Sequence, residues 1–290
     1  MSLNYEHLSE KTAVYLYRTF VEAFSDYAVD MSYMSEEGFL NRAVKNGIDF
    51  EASVGVFDLG KMIGYTLIGV DRWKGALAAY DIGTGITKPY RGKGIAKAMF
   101  DYAVPRLKDK GVRTFVLEVL QENEAAVKAY KKSGFEITRE FDCFELSLEN
   151  AEFVKRIELE IEILPVERDE FYNFTDSLDW MPSWENSFAS ILRIPDGVIL
   201  IGARHKSEHV GLLVYYPTLN WIMTLLVKRG FRRKGIATAL LRHQVEKMRS
   251  GISSVKLINV EHTDAGMIAF LKRIGFARYV NQFEMELVLS

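Results

Sequence analysis

Apolar residues along this chain fall into two patterns, short continuous runs typical of buried strands and stretches in which they return every three or four positions. Two of the runs, residues 76–86 and 221–227, are each followed by a basic, glycine-containing turn and then by helical spacing. The apolar helical positions are Ile95, Met99, Tyr102 and Ala103 after the first run, and Ile236, Leu240, Leu241 and Val245 after the second. Both places are therefore predicted to be strand–turn–helix units.

The two turns are copies of each other. Residues 91–96 read RGKGIA and residues 232–237 read RRKGIA, 141 positions later. The same offset, without a gap, places residues 115–119 on 256–260 and residues 144–148 on 285–289. Two copies are too few for a solenoid. The repeat therefore predicts two similar globular domains, at residues 1–150 and 151–290.

Each half is predicted to be a mixed α/β domain, with a helical lead segment, a hairpin, the long strand, the turn and then alternating helices and strands. In the first half Ser9 and Asn123 are predicted helix N-caps, because their side-chain oxygens can accept hydrogen bonds from the first helical turn. Another helix is predicted to start at Ser35, where Glu36 and Glu37 make a charged first turn. Two short strands are predicted to end this half near Leu148.

We call residues 91–96 the first cradle and residues 232–237 the second cradle. A strand that enters a helix through a glycine turn directs backbone N–H groups and the positive end of the helix dipole at one spot, which favours a phosphate or pyrophosphate. Glycine lets the backbone approach such a ligand closely, although the same glycines could simply turn the chain. A Walker loop is excluded by the spacing around Gly92 and Lys93. A dinucleotide-binding fold is disfavoured because several strands precede the turn.

Charge and composition narrow the possible partners. A net charge of −2 gives no electrostatic footprint for nucleic acid, and the basic run at 228–234 is explained by phosphate on a small ligand. The single Cys143 is expected to be a buried structural thiol in a reducing cytoplasm, and no metal-ligand cluster accompanies it. No apolar run is long enough for a membrane span, and no signal-peptide pattern is present.

The cradles, together with the residues downstream of them, resemble the GNAT superfamily of acetyl-CoA-dependent N-acetyltransferases. Its signature is Arg or Gln, two residues, Gly, one residue, then Gly or Ala, and both cradles match it. In the first half the pattern continues with Leu117-Glu-Val, Asn123-Glu-Ala-Ala126, Tyr130 and Gly134-Phe135. The resemblance implies acetyl-CoA as cofactor, a small-molecule or peptide amine as acceptor, and a monomer or weak homodimer.

The resemblance also assigns roles to residues. Cradle amides would bind the coenzyme A pyrophosphate, the preceding strand end would pair with the pantetheine arm, and Asn123, besides capping its helix, could hydrogen-bond to that arm. The cofactor-binding residues so implied are Ile86, Arg91, Gly92, Lys93, Gly94, Ile95, Ala96 and Asn123 in the first half, and Val227, Arg232, Arg233, Lys234, Gly235, Ile236 and Ala237 in the second.

Acetyl transfer to an amine needs a neutral amine and a stabilised thiolate leaving group. Tyr130 could donate its phenolic proton to that thiolate, or it could be a core tyrosine on the face that carries Ala126 and Val127. Asp81 and Glu118 could each relay a proton from the amine through water, or could be satisfied structural carboxylates.

The second half departs from this pattern where the chemistry is expected. At the constant offset Tyr130 becomes Leu271, Asn123 becomes Asp264, Glu118 becomes Asn259 and Asp81 becomes Ile222. We therefore expect catalysis in the first half and a degenerate second half. The alternatives are an acyl-CoA-binding protein without turnover, and catalysis in the second half.

The lead segments differ most between the halves. In the second, Trp180 and Trp184 could line a substrate pocket, or could serve core or interdomain packing. In the first, acidic side chains fit either a cationic acceptor or a solvated face; they are Asp26, Asp30, Glu36 and Glu37.

Overall fold

The structure is a computed structural model that describes residues 3–26, 31, 34–151, 153, 158–248 and 251–289. Its contacts divide the chain into two compact units. The first unit consists of the residues up to Arg139 and those from Phe283 onward, and the second runs from Glu140 to Gln282. The domain border expected at residue 150 stays a prediction. It separates the two copies of the sequence repeat, whereas the compact units divide the chain after Arg139 and after Gln282.

The first unit is a mixed sheet with helices. Its elements are β1 (Asn4–His7), α1 (Glu10–Ala13), α2 (Leu16–Phe24), α3 (Glu36–Lys45), β2 (Val54–Asp58), β3 (Lys61–Trp73), β4 (Ala76–Ile86), α4 (Ile95–Asp109), β5 (Thr114–Leu120), α5 (Glu124–Lys132) and the start of β6 (Glu136–Ser147). The strands follow the order β1-β2-β3-β4-β5, antiparallel except for the parallel pair β4 and β5. The two short strands predicted near Leu148 are thus wrong: β6 is one continuous strand of 12 residues.

The second unit repeats the same order of elements. They are β7 (Glu162–Pro165), α6 (Arg168–Phe171), α7 (Phe188–Leu192), β8 (Ile199–His205), β9 (Glu208–Tyr216), β10 (Trp221–Val227), α8 (Ile236–Glu246), β11 (Ser254–Glu261), α9 (Ala265–Ile274) and the start of β12 (Ala277–Val288). β10 and β11 form its parallel pair. Among the helices that the structure describes, none has the length and apolar character to cross a membrane.

The helix starts predicted at Ser9, Ser35 and Asn123 are confirmed, and each of these residues is an N-cap. Ser35 Oγ accepts a hydrogen bond from the Gly38 N–H at 3.0 Å, and Asn123 Oδ1 accepts one from the Ala126 N–H at 3.2 Å. Ser9 forms a capping box with Thr12. The caps at Ser35 and Asn123 each satisfy a helical N–H that has no partner inside its own helix, and in the capping box the Ser9 N–H donates to Thr12 Oγ1 at 2.8 Å.

The two halves exchange their last strands. The second part of β6, from Glu140, pairs with β11 in the second unit, and the last part of β12 lies beside β5 in the first. Phe144 is fully buried in the core of the second unit, and Met285, its equivalent in the repeat, is fully buried in the core of the first. The exchange is possible because the two segments carry the same apolar pattern and can fill the same place in either sheet.

In each unit the pairing of the parallel strands ends just before a β-bulge. β4 pairs with β5 only over residues 78–80, and Ile82 is an extra residue opposite β3. β10 pairs with β11 only at residues 221–222, and Met223 is the extra residue there. A bulge bends its strand and increases the local twist. The bulges therefore open a cleft between the two strands, at the edge where the cradle begins.

Candidate active site

Both cradles have the backbone conformation that the glycine pattern predicted. Gly94 and Gly235 are the N-caps of α4 and α8, with φ of 76° and 86°. At the position two residues earlier, Gly92 has φ 74° and Arg233 has φ 64°. Arg233 shows that a non-glycine residue is accepted at the outer position of the turn, at a modest cost in strain.

The cradles present free donors to open space. The N–H groups of residues 92–97 and 233–238 have no hydrogen-bond acceptor within the part of the chain that the structure describes. A Cβ placed on Gly92 or Gly94 would meet no atom within 4 Å. Unpaired amides at the start of a long helix, with space in front of them, fit a pyrophosphate group.

The Arg91 side chain holds the first cradle in place. Its Nε donates to the Ile86 carbonyl at 3.0 Å, and its guanidinium donates to the Ala23 carbonyl at 2.6 Å. It also forms an ion pair with Asp26 at 2.7 Å, and this hydrogen bond lowers the pKa of the Asp26 carboxyl. Asp26 is thus engaged within the protein, whereas Asp30 lies outside the described residues.

Arg232 does the same for the second cradle. It donates to the Val227 carbonyl at 2.9 Å and the Ser177 carbonyl at 3.1 Å, and forms an ion pair with Asp179 at 2.7 Å. The arginine of the signature therefore joins the strand end and the lead segment to the turn. Its side chain stabilises the cradle, and the amides beyond it remain available.

Each cradle also carries a lysine above an aromatic ring. Lys93 Nζ lies 5.2 Å from the centre of the Tyr90 ring, and Lys234 Nζ lies 5.5 Å from that of Phe231. Sequence reasoning missed the two rings, although both stand three residues before the lysine. Through this cation–π contact each ring holds the ammonium group of its lysine close to the free cradle amides.

Asp81 lies in a polar cluster at the bulge of the first unit. Its carboxylate accepts a hydrogen bond from Thr84 Oγ1 at 2.8 Å and a longer one from Thr66 Oγ1 at 3.4 Å. The two hydroxyl oxygens are 2.8 Å apart. Burial raises the pKa of Asp81 to about 6, against the opposing effect of these hydrogen bonds. A carboxyl poised at this pKa can take up a proton near neutral pH.

The second unit replaces this whole cluster with apolar residues. Strand pairing matches Thr66 to Thr84 in the first unit and Leu213 to Leu225 in the second. Ile222 stands where Asp81 would be. Sequence reasoning missed Thr66 and Thr84, since their partnership depends on the register of β3 against β4.

Tyr130 lies half-buried on α5 within a group of aromatic rings. Its ring centre is 5.8 Å from that of Phe100 and 5.9 Å from that of Phe135. Its counterpart Leu271 is fully buried in the core of the second unit. Glu118 is half-buried on β5, just past the last residues that pair with β4. The role of each side chain in catalysis stays a prediction.

Asn259, the counterpart of Glu118, is sealed inside the second unit. Its side chain donates to Ser183 Oγ at 3.0 Å and accepts from Gln282 Nε2 at 3.1 Å. Its Oδ1 also lies 3.6 Å from the sulfur of Cys143, which is buried as expected. An amide in such a network is a structural group and not a candidate base.

A cavity of about 680 Å³ lies in the second unit, against the second cradle. Its wall includes strand β10 from Met223 to Val227 and part of α9. Trp180 lines it and donates its indole N–H to Asp264 at 2.9 Å, whereas Trp184 is buried in the core. Trp180 thus lines a cavity and Trp184 packs in the core, while binding of a substrate in that cavity stays a prediction. Across the described residues, no cluster of His, Cys, Asp or Glu is suited to a metal ion.

Comparisons with known proteins agree with this geometry. The model of the Acetyltransferase (GNAT) family matches residues 14–135 and 161–276. A tandem GNAT protein from the clavulanic acid biosynthesis pathway has the same fold, with a TM-score of 0.73 and 14% identity over 100% of this chain and 99% of that one. A GCN5-related N-acetyltransferase from Sphaerobacter thermophilus gives a TM-score of 0.72 and 18% identity over 99% and 96% of the two chains.

Curated relatives match over shorter stretches. N-alpha-acetyltransferase 30 of Schizosaccharomyces pombe is 34% identical over 86 residues, which are 29% of this chain and 57% of the relative. The mycothiol acetyltransferase of Corynebacterium aurimucosum is 36% identical over 56 residues, 19% of this chain and 18% of the relative. The chain thus spans little more than half of the first relative and under a fifth of the second. The match of the family model to both halves is what decides the assignment: this chain belongs to the GNAT family of acetyltransferases and carries two GNAT domains in tandem.

Proposed function

We propose that the first unit transfers an acetyl group from acetyl-CoA to a primary amine, by direct attack of the amine while both substrates are bound. The single observation that carries this proposal is the cluster of Asp81, Thr66 and Thr84. It places a proton acceptor at the bulge of the first unit, and the second unit has only apolar side chains at the same positions.

The residues of the first cradle fit coenzyme A. The free amides of residues 92–97 would bind its pyrophosphate, Lys93 would add positive charge, and the end of β4 at Ile86 would pair with the pantetheine arm. When bound, acetyl-CoA supplies the thioester carbonyl that the amine attacks.

The chain's own residues then move two protons. Asp81, with Thr84 as the intervening hydroxyl, would accept a proton from the amine, since a protonated amine has no lone pair with which to attack. Tyr130 would donate its phenolic proton to the departing sulfur, whose unperturbed pKa is about 8.5 against about 10 for tyrosine. As the C–S bond breaks, the attacking nitrogen would lose its second proton to water, and the Tyr130 phenolate would regain a proton from water. Asp81 would then release its proton to solvent, and the products are coenzyme A and the N-acetylated amine.

The direct test is release of free thiol from acetyl-CoA across a panel of amines, from small polyamines to peptides with a free N-terminus. Turnover with at least one class, together with loss of turnover in Asp81→Asn, would support the proposal. Binding of acetyl-CoA with no turnover for any class would instead favour a sensor of acyl-CoA.

The two cradles should respond differently to the same charge reversal. We expect Lys93→Glu to raise the KM for acetyl-CoA by about 10-fold or more, because a carboxylate would repel the pyrophosphate from the free amides. Lys234→Glu, the matched change in the second cradle, should leave that KM within about 2-fold. Both lysines sit above a ring near the surface, so neither variant should lose stability. Steady-state kinetics would measure the effect, and the reverse pattern would place catalysis in the second unit.

The cavity favours a second function, binding of a coenzyme A derivative by the second unit. The second unit has space beside its cradle but lacks counterparts of Asp81 and Tyr130. It would therefore hold a coenzyme A derivative without using it.

A further inference from the structure

The cavity of the second unit joins two chemically different regions. One region is mainly cationic, with the cradle amides and the side chains of Arg233 and Lys234, beside the carboxylate of Glu158. The other is apolar, with Leu178, Trp180, Pro182, Met223 and Met267. Such a cavity fits an amphipathic ligand that has an anionic head and an apolar tail.

The apolar region is specific to this half of the repeat. Met267 and Phe270 of α9 correspond to Ala126 and Ala129 of α5, and Leu225 corresponds to Thr84. Although these side chains are larger, the cavity keeps about 680 Å³. The second half has therefore replaced small and polar residues with apolar surface while keeping room for a ligand.

Two carboxylates at the edge of this region, Asp264 and Asp179, already have partners, whereas the buried Oδ1 of Asn186, which also lines the cavity, accepts no hydrogen bond from the described residues. Asp264 accepts from the Met267 N–H at 2.9 Å and from the Trp180 indole. Asp179 is paired with Arg232. A polar ligand group placed against Met223 and Met267 would lose its hydrogen bonds to water without replacement, whereas a hydrocarbon group would gain from leaving water.

We propose that the second unit binds an acyl-CoA whose acyl chain is longer than acetyl, with the chain seated among Trp180, Met223 and Met267. The inference rests on the proposed role of the second cradle as a coenzyme A site. Residues 223–227 of β10 extend about 13 Å along the wall from the cradle, at 3.3 Å per residue. The acyl group would lie at the far end of that wall.

The test is calorimetric titration of the full-length Lys93→Glu protein, whose first cradle is weakened, with coenzyme A, acetyl-CoA and hexanoyl-CoA. Each buried methylene favours binding by about 4-fold. Ordering of the chain offsets part of this gain. We therefore expect hexanoyl-CoA to bind at least 10-fold more tightly than acetyl-CoA.

Met267→Glu places a carboxylate in the apolar region at the third position of α9, where glutamate suits the helix start. We expect it to reduce the hexanoyl preference to below about 3-fold, while Met267→Leu keeps it. Met267 is half-buried, so both variants should fold, and thermal melts would confirm this.

The possible outcomes distinguish failure of the acyl-chain site from failure of the second cradle as a coenzyme A site. Suppose that Lys234→Glu, added to Lys93→Glu, abolishes coenzyme A binding, but that in Lys93→Glu alone hexanoyl-CoA binds no more tightly than acetyl-CoA. The proposed acyl-chain site is then wrong, and the second cradle remains a coenzyme A site. If Lys234→Glu changes none of the three affinities, the second cradle is not a coenzyme A site, and the inference falls with it. If Met267→Glu still bound hexanoyl-CoA at least 10-fold more tightly than acetyl-CoA, the proposed acyl-chain site would also be wrong.

Discussion

Replacing Tyr130 with Phe should lower the turnover number by about 10²–10⁴ while the affinity for acetyl-CoA stays within about 2-fold, because only the acidic proton is removed. The ring contacts with Phe100 and Phe135 are made by carbon atoms and would persist, so the melting temperature should change little. Thiol release at saturating amine gives the turnover number, and calorimetry gives the affinity.

A matched control removes a phenol elsewhere. Tyr102 on α4 lies against Tyr5 and His7 and is 41% exposed, and Tyr102→Phe should keep full turnover. If Tyr130→Phe also kept full turnover, Tyr130 would be a packing residue, and the thiolate would leave without an acid from this helix.

Asp81→Asn should have opposite effects on activity and stability. We expect turnover at pH 7.5 to fall by about 10²–10⁴, because an amide cannot accept the proton of the amine. In the wild-type enzyme turnover should rise with pH up to about 6, the pKa of Asp81, and then level off if no other group limits the rate. The variant should lose this dependence.

The stability effect follows from the direction of the pKa shift. Burial raises the pKa of Asp81 in the folded state, so stability is lost as the pH rises from about 4 through about 6. A shift of about two units corresponds to roughly 3 kcal/mol. Asp81→Asn should therefore raise the melting temperature at pH 8 and leave it nearly unchanged at pH 4. A lower melting temperature at pH 8 would show that the ionised carboxylate stabilises the fold.

Thr84 gives an intermediate test of the same cluster. Thr84→Val keeps the shape but removes the hydroxyl, and should both lower turnover and shift the pH midpoint upward, since a hydrogen bond to the ionised carboxylate is lost. Thr84→Ser should restore most of the wild-type behaviour. An unchanged pH profile in Thr84→Val would remove Thr84 from the proton path.

Sequence reasoning located those features that depend on neighbours along the chain. The bounds of β4 and β10, the helix starts at Ser35 and Asn123, and the two cradles follow from apolar runs, capping residues and glycine positions. Each of these needs only the residues within one turn or one strand. The family assignment was possible because its signature is also local.

The features that were missed depend on long-range register. Thr66 and Thr84 meet only because β3 and β4 pair with a bulge at Ile82. The ion pair between Arg91 and Asp26 forms only if the end of α2 lies next to the first cradle. The exchange of the last strands could not be predicted from the sequence. Residues 144–148 and 285–289 have the same apolar pattern, so the pattern does not indicate which of the two sheets each segment joins.

That exchange has a consequence for how the protein is made. On the ribosome, β5 emerges long before the strand that lies beside it, because the residues from Phe283 onward are translated only after the whole second unit. At ordinary translation rates the interval is roughly 7–30 s. During that time the nascent first half carries an exposed sheet edge, which is a hazard for aggregation. The proposed catalytic half would therefore become active only after the second unit has been translated, and a chain terminated within the second unit would lack a finished first unit.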